Sequence, residues 1–284
     1  MTYRECYEKG CHILNEAGIE ESTLDARLLL EAVCGTDRND LLVHGEQPVE
    51  PETEEKYFDW IGKRAGRIPL QQLTGEQDFM GLTFAVNEHV LIPRQDTEIL
   101  VEEVLKELHD RMRILDMCTG SGCILLSLLH YSNDCEGLGV DLSAEALEVA
   151  GRNVLKVLTP EKAEHAHFLQ SDLFEKVEGK FEIIVSNPPY IASAEVEKLM
   201  PEVRDHEPRM ALDGTEDGLH FYRRIIKEAG KHLVNSGMLF FEIGYDQGQA
   251  VSELMRAQGY REVQVVQDYA GLDRVVLGTY CERN

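Results

Sequence analysis

Over the first 68 positions apolar residues recur at three- and four-residue intervals, the spacing that buries one face of a helix. LDARLLLEAV (24–33) carries this pattern, with Ser22 or Thr23 placed to cap its start. EPETEEKYFDWIGKRAG (50–66) has Pro51 in its first turn, acids early and Lys and Arg late, an order that suits the helix dipole. Residues 1–68 therefore predict a small helical bundle. Over 69–95 the texture changes. Gly75, Gly81 and Pro93 punctuate short β-like runs, and FMGLTF reads as a hairpin, so this stretch is expected to be a β-hairpin linker.

Residues 96–284 form a third region. DTEILVEEVLKELH resumes helical periodicity, and an alternation then begins at residue 113. RILDM, GLGVD, FLQSD, FEIIVSN and GMLFFEIG read as strands. The helices between and after them are ILLSLLH, SAEALEVAGRNVLKVL with Ser143 as N-cap, GLHFYRRIIKEAGKHL and QGQAVSELMRAQ. EVQVVQ and DRVVLGTY close the chain as a pair of strands able to add an antiparallel edge. Strands alternating with helices predict an α/β, doubly wound, Rossmann-like sheet of seven strands, mostly parallel. The MLFFEIG run reads as a buried core strand.

Composition narrows the partners. Lys and Arg number 28 against 52 Asp and Glu, a net charge of −24. Residues 1–68 alone hold 8 basic and 15 acidic residues. Such a surface repels phosphate backbones, and no Lys/Arg run supplies a local basic patch, so direct nucleic-acid binding is not expected. No run of about 18 apolar residues suggests a membrane span. The polar start MTYRECYEKG does not read as a secretory leader, which leads us to expect a cytoplasmic chain. The seven cysteines are scattered without a CxxC pair, so reduced thiols are expected rather than a disulfide framework or a metal site.

In an open α/β sheet ligands sit beyond the carboxyl ends of the strands. The first such end is LDMCTGSGCI (115–124). A dinucleotide fingerprint would need Gly at 118, 120 and 123 and fails at two of the three, whereas a GxGxG spacing fails only at Cys118. GxGxG preceded by an acid, Asp116, resembles the first motif of S-adenosylmethionine-dependent methyltransferases. A glycine-rich turn of this kind also arises from packing alone. Two more acids at successive strand ends add to the signal. Asp141 can take both ribose hydroxyls, and Asp172 can accept from an adenine amino group.

The fourth strand runs into Asn187-Pro188-Pro189-Tyr190. Two prolines without N–H and with fixed φ stiffen the loop. Asn187 Oδ1 and the Pro188 carbonyl can each accept one hydrogen of a planar –NH₂ group, and Tyr190 offers an apolar face to hold it. The alternative, a Pro-rich turn that merely ends a strand, fits less well beside the first site.

[N/D]-PP-[Y/F/W] is similar to the motif of methyltransferases acting on amino groups of adenine, guanine, cytosine or glutamine. Together LIPRQDTEILVE, QSDLF, IIVSNPPYI, HEPRMALDG, DGLHFY and DYAGLDRVVLG resemble the release-factor glutamine N5-methyltransferase family (PrmC/HemK) over nearly the whole chain. The resemblance implies a class I methyltransferase domain that uses S-adenosyl-L-methionine and yields S-adenosyl-L-homocysteine. It implies a substrate glutamine in the Gly-Gly-Gln loop of class I peptide chain release factors, docked by the N-terminal bundle, and a monomeric enzyme. Cys118, Thr119, Gly120, Ser121, Gly122 and Asp141 would hold the cofactor. Asp116 and Asp172 belong to the same pocket, and Leu173 stands where an often aromatic residue flanks the adenine. Asn187 would touch both ligands; Pro188, Pro189 and Tyr190 would hold the glutamine, and Arg94 would lie near the substrate entrance. Cys118 and Leu173 depart from the family pattern. Other readings are a glutamine methyltransferase acting on a ribosomal protein, a DNA or RNA amino-methyltransferase, and a non-catalytic cofactor-binding protein. His206 and His220 read as structural, and Arg209 as a residue that pairs with an acid at the active-site wall.

Overall fold

A computed structural model describes residues 1–282. The chain divides into two compact units: Met1–Gly75 with Met200–His206, and Glu76–Leu199 with Glu207–Asn284. The chain thus leaves the second unit for residues 200–206 and returns, an excursion with no counterpart in the periodicity of the sequence. No helix among the described residues is long and apolar enough to cross a membrane.

The first unit is helical, with Tyr3–Glu16, Ser22–Cys34 and Pro51–Ala65 as its principal helices. Cys6, Leu14, Leu29, Leu30, Tyr57 and Ile61 are fully buried between them. The expected side-chain cap at residue 22 or 23 does not form. Glu21 occupies the N-cap without a side-chain bond, and Ser22 is the first helical residue, buried by packing. Pro51 does open its helix. Arg64 bonds Asp25 at 2.7 Å and Glu202 at 3.1 Å, and Arg67 bonds the same Glu202 oxygen at 3.1 Å. Burial raises the Glu202 carboxyl, but its backbone hydrogen bond and the two guanidinium groups outweigh that and hold it below the usual range.

The second unit opens with a hairpin, β1 (Glu76–Phe79) and β2 (Leu82–Ala85). Met80 and Gly81 both have positive φ, as a two-residue turn between right-twisted strands requires. Phe79 and Phe84 meet edge to face, 6.0 Å between centroids, in the core under the sheet. The sheet comprises β3 (Arg113–Met117), β4 (Glu136–Asp141), β5 (Ala166–Gln170), β6 (Phe181–Ser186), β7 (Leu233–Glu242), β8 (Arg261–Gln267) and β9 (Asp273–Thr279). Their order is β5-β4-β3-β6-β7-β9-β8. The first five pair in parallel; β9 inserts antiparallel beside β7, and β8 forms the edge. This is the doubly wound, mostly parallel seven-stranded sheet expected. β5 ends two residues before Asp172, so FLQSD is part strand and part loop.

Helices Cys123–Tyr131 and Ala144–Val157 cover the sheet, the latter capped by Ser143, whose hydroxyl accepts from Ala146 N. Asn153, on that second helix, is fully buried. Its Oδ1 accepts from Ala85 N, and its Nδ2 donates to Ala85 O and Ser121 O, so one amide fastens the hairpin to the glycine-rich loop.

Candidate active site

The sheet changes direction between β3 and β6. The chain goes from β3 outward through β4 and β5, then returns to lay β6 on the other side of β3. The loops after β3 and β6 therefore emerge side by side at the carboxyl edge, where such sheets bind ligands. Ser186 Oγ donates to Met117 O at 2.6 Å and ties the two strand ends together.

The loop after β3 takes its shape from backbone conformation. Cys118, Gly120 and Gly122 have φ of 63°, 55° and 78°. This left-handed region suits glycine, and Cys118 occupies it with a Cβ at a cost of about 1 kcal/mol. A Cβ at Gly120 would meet nothing within 4 Å. That glycine serves the conformation and leaves the backbone open to a ligand. Asp116 is fully buried beneath the turn. Its Oδ2 accepts from Thr119 Oγ1 at 2.6 Å, its Oδ1 has no partner among the described residues, and burial pushes its carboxyl up to about 7. It shapes the turn and does not reach the cavity.

Asp141, at the end of β4, accepts from Gly120 N through Oδ2 and from Ser143 N through Oδ1, both at 2.9 Å. Burial raises its pKa against these bonds. Each oxygen keeps a lone pair for a further donor. Asp172 pairs with Arg224 at 2.9 Å through Oδ1. Leu173 is buried with φ of 49°.

These groups surround a cavity of about 220 Å³. Of the sequence-predicted residues, Arg94, Cys118, Thr119, Gly120, Ser121, Asp141, Asp172, Leu173, Asn187 and Pro189 line it, while Asp116, Gly122, Pro188 and Tyr190 are not part of its lining. Apolar Val140, Leu142, Ala146 and Ile124 complete the side near Asp141. An apolar slot beside a carboxylate with spare lone pairs and an open glycine backbone fits a nucleoside.

Across the cavity, Asn187 Nδ2 donates to Thr97 Oγ1 at 3.4 Å, a long bond. Among the described residues, no hydrogen bond engages Asn187 Oδ1 or the Pro188 carbonyl. The rest of the loop is held firmly. Gln247 Nε2 donates to Tyr190 O at 3.0 Å, and Ile191 exchanges backbone bonds with Leu212 and Gly214. A Cβ at Gly218 would sit 2.3 Å from Tyr190 O, which explains a glycine there. Tyr190 Oη donates to Glu242 at 3.1 Å. Burial, with Glu242 beside it, raises the Tyr190 hydroxyl and keeps it protonated.

Arg94 pairs with Glu207, whose carboxylate also accepts from Ile92 N at 3.2 Å. The Glu207 side chain is almost wholly buried, and that burial raises its carboxyl against the pull of Arg94. Arg209 is exposed and bridges Glu197 at 2.6 Å and Asp213 at 3.3 Å; Asp213 lines the cavity. Thr97, Asn153, Glu207 and Glu242 were not singled out from the sequence. The one available signal was an acid inside the apolar run FFEIG.

Residues 5–75 match the PrmC N-terminal domain family and residues 94–203 the methyltransferase small domain family. A release factor glutamine methyltransferase of Clostridium acetobutylicum is 41% identical over 281 residues, 98% of each chain. Another, of Moorella thermoacetica, is 43% identical over 281 residues, again 98% of each chain. A solved methyltransferase from Pyrococcus furiosus superimposes with a TM-score of 0.53 at 17% identity, covering 78% of this chain and all of its own, a likeness of fold.

Proposed function

The chain belongs to the release factor glutamine methyltransferase family, and from that premise we propose that it transfers a methyl group from S-adenosylmethionine to N5 of the glutamine in the Gly-Gly-Gln loop of class I peptide chain release factors. The observation that carries this reading is the pair of unengaged acceptors, Asn187 Oδ1 and the Pro188 carbonyl, on a rigid loop beside a nucleoside-shaped cavity. Each acceptor takes one hydrogen of the glutamine –NH₂. An amide nitrogen is a poor nucleophile because its lone pair is conjugated. Holding both hydrogens fixes its orientation, and acceptors already in place stabilise positive charge as it builds on nitrogen. Tyr190, with its hydroxyl tethered, keeps its ring in place against the planar group.

On the cofactor side, Asp141 takes the ribose hydroxyls through its remaining lone pairs. Leu173 and Leu142 flank the base, Asp172 takes the adenine amino group, and Cys118–Ser121 form the floor. S-adenosylmethionine supplies, when bound, a methyl group on a sulfonium sulfur. Arg94, anchored by Glu207, marks the substrate side, and the first unit provides the docking surface for the release factor.

The test is to incubate the purified chain with S-adenosylmethionine and an unmethylated class I release factor, then map any methyl group by mass spectrometry. One methyl on the Gly-Gly-Gln glutamine is the expected result. No methyl there, with cofactor still bound, refutes the substrate and turns attention to glutamines of ribosomal proteins.

A further inference from the structure

We propose that Gln247 is a positioning residue for the acceptor clamp: its side-chain amide holds the main-chain carbonyl of Tyr190 against the end of β7 and so fixes where Asn187 and Pro188 present their oxygens. This rests on the reading of Asn187 Oδ1 and the Pro188 carbonyl as the acceptors of the glutamine –NH₂.

β6 ends at Ser186, and Pro188 and Pro189 beyond it bring no N–H. These two residues can be tied down only from their neighbours or through their carbonyls, and a carbonyl needs a donor from elsewhere. In this reading the Pro188 carbonyl is kept for the substrate. The anchor falls on the next turn of the chain, where the Tyr190 carbonyl accepts from Gln247 Nε2 at 3.0 Å. The same nitrogen stands 3.4 Å from Gly218 O, a longer bond.

The direction of this amide is dictated by its partners. Oε1 accepts from Gly244 N at 3.0 Å, and Gln247 N donates back to Gly244 O at 2.9 Å. A backbone N–H only donates and a carbonyl only accepts. Oε1 must therefore face Gly244, and Nε2 must face Tyr190. Gly244 lies two residues beyond the end of β7, and Ile243 between them donates through its N–H to Arg274 O on β9 at 2.9 Å. The amide thus ties the clamp to the sheet.

The surrounding chain is packed closely. A Cβ at Gly218 would stand 2.3 Å from Tyr190 O and 2.8 Å from Gln247 Nε2, and one at Gly214 would stand 2.8 Å from Pro189 O. Glu242, the last residue of β7, accepts from Tyr190 Oη at 3.1 Å. Glu242 and Gln247 therefore hold Tyr190 by its hydroxyl and by its carbonyl. Without the Nε2 donor the Tyr190 carbonyl loses this bond and the loop is free to turn. Two fixed proline φ angles cannot absorb that turn, so it passes back to the Pro188 carbonyl and Asn187.

The experiment measures single-turnover methylation of an unmethylated class I release factor at saturating reactants, together with S-adenosylmethionine affinity and Tm, for Gln247→Leu and Gln247→Glu. Both variants are expected to slow methyl transfer about tenfold at neutral pH. Cofactor affinity should stay at the wild-type value, because Gln247 does not line the cavity. The two variants part on a pH profile. A carboxylate at this position only accepts, but its protonated form again offers a donor to the Tyr190 carbonyl. Gln247→Glu should therefore recover towards the wild-type rate at the same pH as the pH falls through the carboxyl's titration, and Gln247→Leu should not. An undiminished rate in Gln247→Leu, a loss confined to cofactor affinity, or parallel pH profiles for the two variants overturn the proposal. Should Gln247→Leu fail to fold, the profile of Gln247→Glu against wild type decides alone. A wild-type chain that leaves the release factor unmethylated overturns the functional reading, and this inference with it. An active wild type beside an equally active Gln247→Leu overturns the inference alone.

Discussion

Asp141 ends β4 and Asn187 follows β6, strands that flank β3 on opposite sides, and the two use their polar atoms differently. Both Asp141 oxygens already accept from backbone N–H groups, at Gly120 and Ser143, and beneath them Asp116 is tied to Thr119. Among the described residues Asn187 Oδ1 and the Pro188 carbonyl accept from nothing, although the loop around them is anchored at Tyr190, Ile191 and Gln247. The half that we propose holds the cofactor is shaped by backbone conformation, with Cys118 and Leu173 both at positive φ. The half that we propose holds the substrate depends on individual atoms, because unused acceptors in a stiff loop are what an –NH₂ nucleophile needs.

The largest break in this contrast should come from Asn187→Ala. Loss of a preorganised acceptor is expected to lower the methyl-transfer rate about 10²- to 10³-fold while Tm stays close to wild type, read by single-turnover kinetics and thermal unfolding. A near-normal rate would remove the clamp from the mechanism. Asp141→Ala acts on the other half. It should weaken S-adenosylmethionine binding by about ten- to a hundredfold, the worth of hydrogen bonds to a charged group, with less effect on turnover at saturation. Calorimetric titration decides it, and unchanged affinity rules out the ribose role.

Smaller effects sharpen the same line. Asp116 has a folded-state pKa of about 7 against an ordinary value of 3.8. The native state therefore holds a proton that the unfolded state sheds between about pH 4 and 7, and the stability associated with protonated Asp116 is lost as pH rises through that window. Thermal unfolding across pH should show wild type losing stability relative to Asp116→Asn over this range; parallel profiles would contradict the assignment. The smallest effect is at Cys118. Cys118→Gly relieves a left-handed φ but adds freedom to the unfolded chain, for a net gain of roughly 0.5 kcal/mol in denaturant unfolding. A loss of stability would show that the half-buried thiol contributes packing that outweighs the relief.

Much of this could be read from the chain itself. RILDM is a strand to the residue, FEIIVSN is one but for its final Asn187, Ser143 caps its helix, and Pro51 opens another. These features rest on periodicity and on bonds spanning three or four residues. The errors have the opposite character. Ser22 lost its capping role because tertiary packing buried it inside the first turn. The short helices Ser193–Val196, Pro201–His206 and Arg209–Leu212 carry too few periodic positions to be seen. The passage of residues 200–206 into the first unit depends on Arg64 and Arg67, more than a hundred residues earlier in the chain.

The sequence alone determined the sheet's alternation, the glycine-rich turn, the acids at strand ends and the stiff Asn-Pro-Pro-Tyr loop, because each is written in adjacent residues. Tertiary structure alone decided that Thr97 and Glu242 stand behind that loop and that Asp116 is withdrawn from the cavity. Tyr190 and Glu242 are 52 residues apart. They meet only because β7 pairs in parallel beside β6, and hydrogen bonds between strand ends depend on that pairing, to which no short stretch of sequence is sensitive.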